Sequence, residues 1–211
     1  MLAKEKYSMK NLKTNNKFNK FIIIIVIYFS TVNVFSEQND IIENIEKNWN
    51  ETQTLTGQFH QKIGDNKIIS GDFFIEKPYK SNFTYYEDFR NIITSQYFIN
   101  VVDKQNYLID RYPIINQPLY KMFSKDVSLS SFFNINYIEE KEDEIIIKLV
   151  SKSKKNFNSV KITLTFNSED YLLKNWEIID ALEQTTYLEF TNIRKNISID
   201  QNLFIFKERI E

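Results

Sequence analysis

Five acidic residues lie close together in one short stretch of the chain: Glu139, Glu140, Glu142, Asp143 and Glu144. Carboxylate oxygens bind hard metal ions, and a pair of carboxylates can act as general acid and general base. No ligand spacing recurs here, and no apolar pattern marks the stretch as buried. We therefore interpret it as a solvated turn at a hairpin tip, and we predict no metal site.

The sequence has almost no residues that could perform thiol or imidazole chemistry. The sequence contains no cysteine, and His60 is its one histidine. This composition excludes a disulfide framework, a thiolate metal site and a thiol nucleophile, and it argues against histidine-based metal and triad chemistry. His60 falls on the polar side of an alternating stretch and is predicted to be a surface residue. With three glycines and no phosphate-binding loop, the sequence predicts no cofactor and no enzyme.

Charge is distributed unevenly along the 211 residues. The chain has 27 basic and 28 acidic residues, of which six lysines and Glu5 lie in residues 1–36, so that the remainder has a net charge of −6. A nucleic-acid-binding protein needs cationic excess to neutralise phosphates. We therefore predict no nucleic-acid partner.

The basic start of the chain is typical of a targeting segment. Lysines continue up to Lys20, residues 21–29 are apolar, and the small residues Val34 and Ser36 precede a possible cleavage point. The pattern predicts a signal peptide over residues 1–36. An uncleaved anchor is the alternative, but the apolar run is shorter than the about 20 residues that a bilayer requires. No cysteine is present at this point to carry a lipid anchor.

The remaining residues, 37–211, are predicted to form one domain, because a chain of this length supports a single core. The mature protein is expected to begin at Glu37. Translation starts at Met1 or at Met9, since removal of the first eight residues leaves a better-proportioned signal.

One helix and many strands are predicted within this domain. Asp40 and Glu43 fit a capping box, followed by one apolar face formed by Ile41, Ile42, Ile45 and Trp49. Alternation then predicts strands over Leu55–Ile63, Ile69–Glu76, Asn82–Tyr86, Ile92–Val102, Tyr107–Tyr112, Glu144–Ser151, Val160–Asn167, Tyr171–Ile179, Thr185–Ile193 and Leu203–Lys207. Only Pro113–Phe133 interrupts the strands, and it is suited to short helices over an opening. Strands without intervening helices favour a sandwich or a strongly curved antiparallel sheet.

Large apolar side chains share one face of many of these strands. A closed core would use them to fill its interior, whereas a lipid-binding cavity would place them around an open interior. Alternation does not distinguish the two. The residues are Phe59, Phe73, Ile75, Phe83, Ile162, Leu164, Phe166, Trp176, Ile178, Leu188 and Phe190.

Several segments, in order, resemble the periplasmic outer-membrane lipoprotein carriers of the LolA family. They are LTGQFHQ at 55–61, GDFFIEKP at 71–78, WEIIDALEQTTYLEFTN at 176–192, and then Asn196 and Phe204. The resemblance covers nearly the whole predicted mature chain. It implies a mainly β fold, an unclosed antiparallel half-barrel of about eleven strands. The N-terminal helix and short mid-chain helices would form a lid over a hydrophobic cavity.

The resemblance also implies roles for individual residues. The cavity is expected to be lined by Phe59, Phe73, Ile75, Phe83, Trp176, Ile178, Leu188 and Phe190. The lid is expected to contain Ile41, Ile42, Ile45, Trp49, Leu119, Phe123, Leu129 and Phe132. Lys77 stands where the family commonly has an arginine that holds the lid closed, so it is the expected latch. An ammonium group cannot reproduce the planar donor fork of arginine.

The function implied by the resemblance is that of a monomeric periplasmic chaperone. Such a chaperone binds the acyl chains of lipoproteins released by an inner-membrane ABC transporter and delivers them to an outer-membrane receptor lipoprotein. Two alternatives remain open: a periplasmic sensor module that binds lipids or lipoproteins, and a secreted hydrolase acting on a lipid. Two acidic side chains inside the cavity would favour the hydrolase, whereas a continuous apolar wall would favour the carrier.

Overall fold

The computed structural model describes residues 38–63, 67–114, 118–152, 160–180 and 182–209, without the side chains of Ile63, Pro118 and Leu119. The predicted signal peptide and Glu37 lie outside the described residues. The chain divides into one unit that ends at Ile41 and a second unit, Ile42–Glu211, which contains every strand. In the described part of the chain, no helix is long and apolar enough to cross a membrane.

Helices are few and short. Residues 38–51 form helix α1. The segment between the sixth and seventh strands contains a 3-10 helix, Pro118–Phe123, and helix α2, Leu129–Phe132. A last 3-10 helix, Gln201–Phe204, is capped by the Asp200 carboxylate, which accepts a hydrogen bond from Asn202 N at 3.0 Å.

Eleven strands make up the rest of the described fold. They are β1 (Thr54–Ile63), β2 (Lys67–Glu76), β3 (Lys80–Tyr85), β4 (Arg90–Thr94), β5 (Phe98–Asp103), β6 (Leu108–Pro113), β7 (Phe133–Glu140), β8 (Glu144–Ser151), β9 (Lys161–Asn167), β10 (Leu173–Ile179) and β11 (Thr185–Lys195).

All eleven strands belong to one sheet, in the order β6-β5-β4-β3-β2-β1-β11-β10-β9-β8-β7. Every neighbouring pair is antiparallel, and all pairs join consecutive strands except β1 with β11 at the centre. Because β6 and β7 are the two edges, the sheet is unclosed, as predicted. Residues 114–132 join these edges, so this mid-chain segment must pass from one edge of the sheet to the other.

Three strand predictions were wrong in detail. Residues 92–102 contain two strands, β4 and β5, because a turn closes between them with Ser95 N donating to Phe98 O at 2.9 Å. β7 was missed, because a register shift between Ile135 and Tyr137 interrupts its alternation. Leu203–Lys207 is not a strand: the Asp200 cap starts a 3-10 helix there, and only Lys207 forms a β-bridge, to Tyr107.

The centre of the sheet is packed through two cross-strand pairs of phenylalanine and glycine. Phe59 lies opposite Gly71, and Phe73 lies opposite Gly57. Both phenylalanines are 0% exposed, and a Cβ on Gly71 would lie 2.7 Å from the Phe59 ring and 2.1 Å from Thr84 O. Glycine is therefore required at Gly71, because each ring occupies the space above the glycine opposite it.

We predict that Gly71→Ala lowers the free energy of unfolding by about 3 kcal/mol, because the methyl group would overlap a backbone oxygen that cannot rotate away. Urea unfolding followed by circular dichroism measures the change. The control is Ile68→Ala on the same strand, where a 65% exposed side chain should change stability by less than about 0.5 kcal/mol. Equal stability of the two variants would contradict this account of the packing.

Candidate functional site: an apolar cavity beneath the mid-chain segment

One face of the sheet carries Phe83, Trp176 and Leu188, and we call it the inner face. A cavity of about 560 Å³ lies on this face. Strands from both halves of the sheet contribute to it, and the mid-chain segment contributes three side chains. The lining residues are Gln61, Ser81, Phe83, Tyr85, Ile92, Thr94, Ile99, Ile114, Tyr120, Phe123, Val160, Trp176, Ile178, Asp180, Leu182 and Leu188. Aliphatic and aromatic side chains predominate, so the cavity is suited to an apolar ligand.

The structure divides the eight predicted cavity residues into two groups. Phe83, Trp176, Ile178 and Leu188 line the cavity. The other four do not line it and are buried, with exposures of 0–7%: Phe59, Phe73, Ile75 and Phe190. Alternation identifies which face of a strand a side chain occupies, but it does not give the depth of that side chain below the cavity surface.

Rings from five strands pack together on this inner face. Phe73 contacts Phe190 at 5.0 Å between ring centroids, and Phe190 contacts Trp176 at 4.9 Å. Phe59 contacts Phe83 at 5.3 Å. We call Phe59, Phe73, Phe83, Trp176 and Phe190 the aromatic layer. Edge-to-face contacts of this kind stabilise a specific packing, so the layer provides a firm base for the cavity.

Several lining residues were not predicted. Gln61 and Tyr85 are in phase with the inner-face residues Phe59 and Phe83, and this phase is a signal that could have identified them. Ile114 and Tyr120 come from the irregular mid-chain segment, where no periodicity marks an inward side chain.

Helix α1 is hydrogen-bonded to the mid-chain segment at three positions. Trp49 Nε1 donates to Met122 O at 2.6 Å. The Asn50 side chain bonds Val127 twice, donating from Nδ2 to O at 3.0 Å and accepting at Oδ1 from N at 2.8 Å. Glu46 Oε1 accepts from Leu129 N at 2.6 Å. These bonds connect side chains of one helix to backbone groups of the other segment, so the two are held in one register.

Burial raises the pKa of Glu46, and the hydrogen bond from Leu129 opposes that shift. The carboxylate nevertheless supplies an acceptor for the first amide of α2, where helix amides lack partners of their own.

The mid-chain segment is also joined to the sheet. Tyr79 N donates to Phe123 O at 2.8 Å, and the Tyr79 ring stacks on Tyr120 with 4.8 Å between centroids. Tyr120 Oη donates to Gln96 O at 3.1 Å. Since Tyr120 and Phe123 both line the cavity, these contacts hold cavity-lining side chains in place.

The predicted lid residues lie in α1 and in the mid-chain segment. Ile45, Trp49, Phe123 and Leu129 are 1–8% exposed, whereas Ile42 and Phe132 are half-buried. Phe123 is the one of these that lines the cavity. The Leu119 side chain lies outside the described residues. Ile41 is buried and is the last residue of the first unit.

Lys77, the predicted latch, is 9% exposed and its Nζ donates to Trp49 O, with Nζ 5.6 Å from the centroid of the Trp49 ring. Burial lowers its pKa to about 8, and the nearby Asp126 carboxylate acts in the opposite direction. Burial disfavours the charged form of a lysine, so the ammonium group is held in a partly unfavourable place.

The described lining of the cavity contains almost no acidic side chains. Asp180 is the one carboxylate in the described lining, and its Oδ1 accepts from Leu182 N at 2.8 Å and from Gln184 N at 2.9 Å. The acidic stretch lies at the turn between β7 and β8, where Lys141 pairs with Glu139 and Glu144. The described residues contain no cluster of potential metal ligands.

Comparison with known proteins places this arrangement in a family. The sequence profile described as "Outer membrane lipoprotein carrier protein LolA" matches residues 50–207, three quarters of the chain. The chain belongs to the LolA family. The matched region contains the whole sheet and the mid-chain segment. The LolA profile therefore covers both of the parts that line the cavity.

Curated relatives of this LolA-family chain match most of its length. An outer-membrane lipoprotein carrier protein of Francisella tularensis subsp. tularensis (strain WY96-3418) is 26% identical over 202 residues, which covers 89% of this chain and 90% of the relative. A protein of the same name from subsp. novicida (strain U112) is 26% identical over 204 residues, with 89% and 92% coverage.

Solved structures that align with this chain include a LolA superfamily protein from Nitrosomonas europaea. It is 10% identical with a TM-score of 0.42, and the alignment covers 78% of this chain and 97% of that one. A DUF1329 family protein from Desulfovibrio piger is 9% identical with a TM-score of 0.45, covering 79% and 95%.

Proposed function

We propose that this LolA-family chain is a periplasmic carrier that binds the acyl chains of lipoproteins in the cavity and moves them through water. The single observation that carries the proposal is the apolar cavity of about 560 Å³, covered by the hydrogen-bonded mid-chain segment. Family membership and the names of the curated relatives support the same function.

The physical problem that such a carrier solves is the exposure of acyl chains. Each methylene exposed to water costs about 0.8 kcal/mol, so one sixteen-carbon chain costs roughly 13 kcal/mol. An apolar cavity removes this barrier without any chemical step. The single carboxylate in the described lining supports a carrier over a lipid hydrolase, which would need a second acid or base beside it.

The proposed cycle has three partners. A monomer of this chain receives an acylated lipoprotein from an inner-membrane ABC transporter and passes it to an outer-membrane receptor lipoprotein. Opening requires that α1 and the mid-chain segment, including Trp49, Phe123 and Leu129, act as a lid. The signal peptide over residues 1–36 would direct the chain to the periplasm.

The proposal predicts that the purified chain keeps an acylated lipoprotein in solution. A triacylated lipoprotein in detergent is mixed with the chain, the detergent is removed, and membranes and aggregates are sedimented. The lipoprotein should remain in the supernatant in a complex with one chain. Its unacylated form, made by replacing the acylated cysteine with serine, should not bind.

Sedimentation of the acylated lipoprotein despite the chain would contradict the carrier function. Adding outer-membrane vesicles to the complex then distinguishes the carrier from the sensor. A carrier releases the lipoprotein to the vesicles, whereas a sensor module retains it.

A further inference from the structure

Two residues that line the cavity each have a side-chain hydrogen-bond donor with no acceptor among the described residues. The first is Gln61, whose carboxamide oxygen accepts from the Tyr85 hydroxyl at 2.9 Å. The oxygen accepts this bond, and the two Nε2 hydrogens are the donors of this side chain. Within the described ranges, no group accepts a hydrogen bond from Gln61 Nε2.

The second donor is the indole N–H of Trp176. This side chain is 7% exposed and lines the cavity, and its Nε1 is buried without a hydrogen-bond partner among the residues the structure describes. Buried donors without acceptors are costly and uncommon in proteins. Because Nε1 itself is buried, an acceptor supplied by a ligand reaches it, and removes that cost, only when the indole ring shifts towards the cavity.

The two donors lie in one cross-strand row. Gln61 on β1 is opposite Leu188 on β11, and Leu188 is opposite Trp176 on β10. All three side chains line the cavity. The apolar side chain of Leu188 therefore lies between the two residues that carry the donors, Gln61 and Trp176.

The chemistry of the surroundings limits which acceptor fits. The described lining contains no lysine or arginine, and its one charged group is the Asp180 carboxylate. An anionic phosphate or carboxylate would meet no cation there and would be repelled by Asp180. A neutral carbonyl oxygen needs only a donor, and it can enter an apolar cavity attached to an alkyl chain.

We propose that Gln61 and Trp176 bind the ester carbonyl oxygens of the acyl chains, with Tyr85 as a positioning residue that orients the Gln61 carboxamide. This inference rests on the proposed function and names a specificity for it: the cavity prefers ester-linked chains to ether-linked chains of equal length. The preference arises because an alkyl ether lacks the carbonyl oxygen.

Tyr85 is suited to the positioning role. Its ring packs edge-to-face on Phe59 with 5.0 Å between centroids, across Gly71, which lies opposite both residues. Burial raises the pKa of Tyr85 to about 12, so its hydroxyl keeps its proton and remains a donor at neutral pH. A smaller cavity of about 210 Å³ shares Gln61, Tyr85 and Ile92 with the large one. Its lining also contains Arg90, but the guanidinium group is paired with the Asp88 carboxylate at 3.1 Å.

The test compares two synthetic peptides. In the ester lipopeptide, an N-terminal S-glyceryl cysteine carries two palmitoyl esters; in the ether lipopeptide, it carries two hexadecyl ethers. Isothermal titration calorimetry gives the ratio of the two affinities for each variant, so that general changes in hydrophobic binding cancel. The wild-type chain should prefer the ester lipopeptide by about tenfold to a hundredfold, because each of the two neutral hydrogen bonds contributes about threefold to tenfold.

Gln61→Leu and Trp176→Phe should each reduce this ratio, and Tyr85→Phe, which removes only a hydroxyl, should reduce it with the fold intact. The control is Ile92→Ala, which should weaken binding of both lipopeptides equally and leave the ratio unchanged. An unchanged ratio in Tyr85→Phe and Gln61→Leu, or no ester preference in the wild type, would overturn the inference while leaving the carrier function standing. Failure of the wild type to bind either lipopeptide would overturn the carrier function itself.

Discussion

Replacing Ile178 with glutamate is expected to weaken acyl-chain binding about tenfold to a hundredfold while leaving the sheet folded. Ile178 lies on β10, lines the cavity and is only half-buried, so a carboxylate there can reach water when the cavity is empty. When an acyl chain fills the cavity, the same carboxylate loses that water. Burying a polar group without a partner costs about 1–3 kcal/mol, which lowers affinity about tenfold to a hundredfold.

The matched control is the adjacent residue. Ile179 has the same side chain, the same strand and a similar half-buried environment, but successive strand residues point to opposite faces of the sheet. Ile179→Glu should therefore bind the ester lipopeptide as the wild type does. Titration calorimetry measures both affinities, and circular dichroism checks the fold. Normal binding by Ile178→Glu would show that acyl chains do not occupy this cavity.

Replacing Lys77 with methionine is expected to reduce opening of the proposed lid at pH 7 on the order of tenfold, the effect of one pKa unit. Two effects compete at this residue. The hydrogen bond from Nζ to Trp49 O favours the closed form, whereas burial of the ammonium disfavours it. Burial lowers the Lys77 pKa from the ordinary 10.5 to about 8, so we expect the cost of burying the ammonium to outweigh the hydrogen bond. Methionine keeps the apolar stem, and Trp49 O still accepts from Thr52 N.

The same shift gives a pH dependence with a definite sign. With the lid open, Lys77 faces water and has its ordinary pKa of 10.5; with the lid closed, its pKa is about 8. Between these values the open form holds one more proton, so raising the pH favours the closed form. Stability of the folded chain should likewise rise over this range.

A hydrophobic dye reports the open fraction of the cargo-free chain. Wild-type dye binding should fall between pH 7 and pH 10, towards the level of Lys77→Met, which should be flat over this range apart from changes common to both proteins. The Asp126 carboxylate opposes the lowering of the Lys77 pKa but does not reverse it. Greater dye binding by Lys77→Met at pH 7 would mean that the hydrogen bond to Trp49 outweighs the burial cost.

The local pattern of apolar and polar residues was sufficient to predict helix α1 and most of the strands. The alternation of Phe59, Gln61 and Ile63 with polar neighbours identified β1, and the apolar face from Ile41 to Trp49 identified α1. Such patterns predict elements because each strand or helix must present one apolar side to a core. Boundaries were less predictable: Ser95, Gln96 and Tyr97 form a turn without glycine or proline, so β4 and β5 were taken as one strand.

The family could also be identified from the sequence, because segments such as LTGQFHQ and GDFFIEKP resemble those of the LolA family in order and spacing. The profile match over residues 50–207 confirmed it. The departure at Lys77 could likewise be seen in the sequence. Its burial and its lowered pKa could not, because they depend on Trp49 and Asp126, which are distant along the chain.

Tertiary structure alone decided which inner-face residues surround empty space. Phe59 and Phe73 share the face of Phe83 and Ile178, yet they lie at the centre of the sheet under other rings, whereas Phe83 and Ile178 line the cavity. Sequence determined the identity and facing of these side chains, since strand alternation is a local property of the backbone. Their depth depends on the pairing of β1 with β11, on sheet curvature and on where the mid-chain segment crosses, and these arise from contacts between residues far apart in sequence.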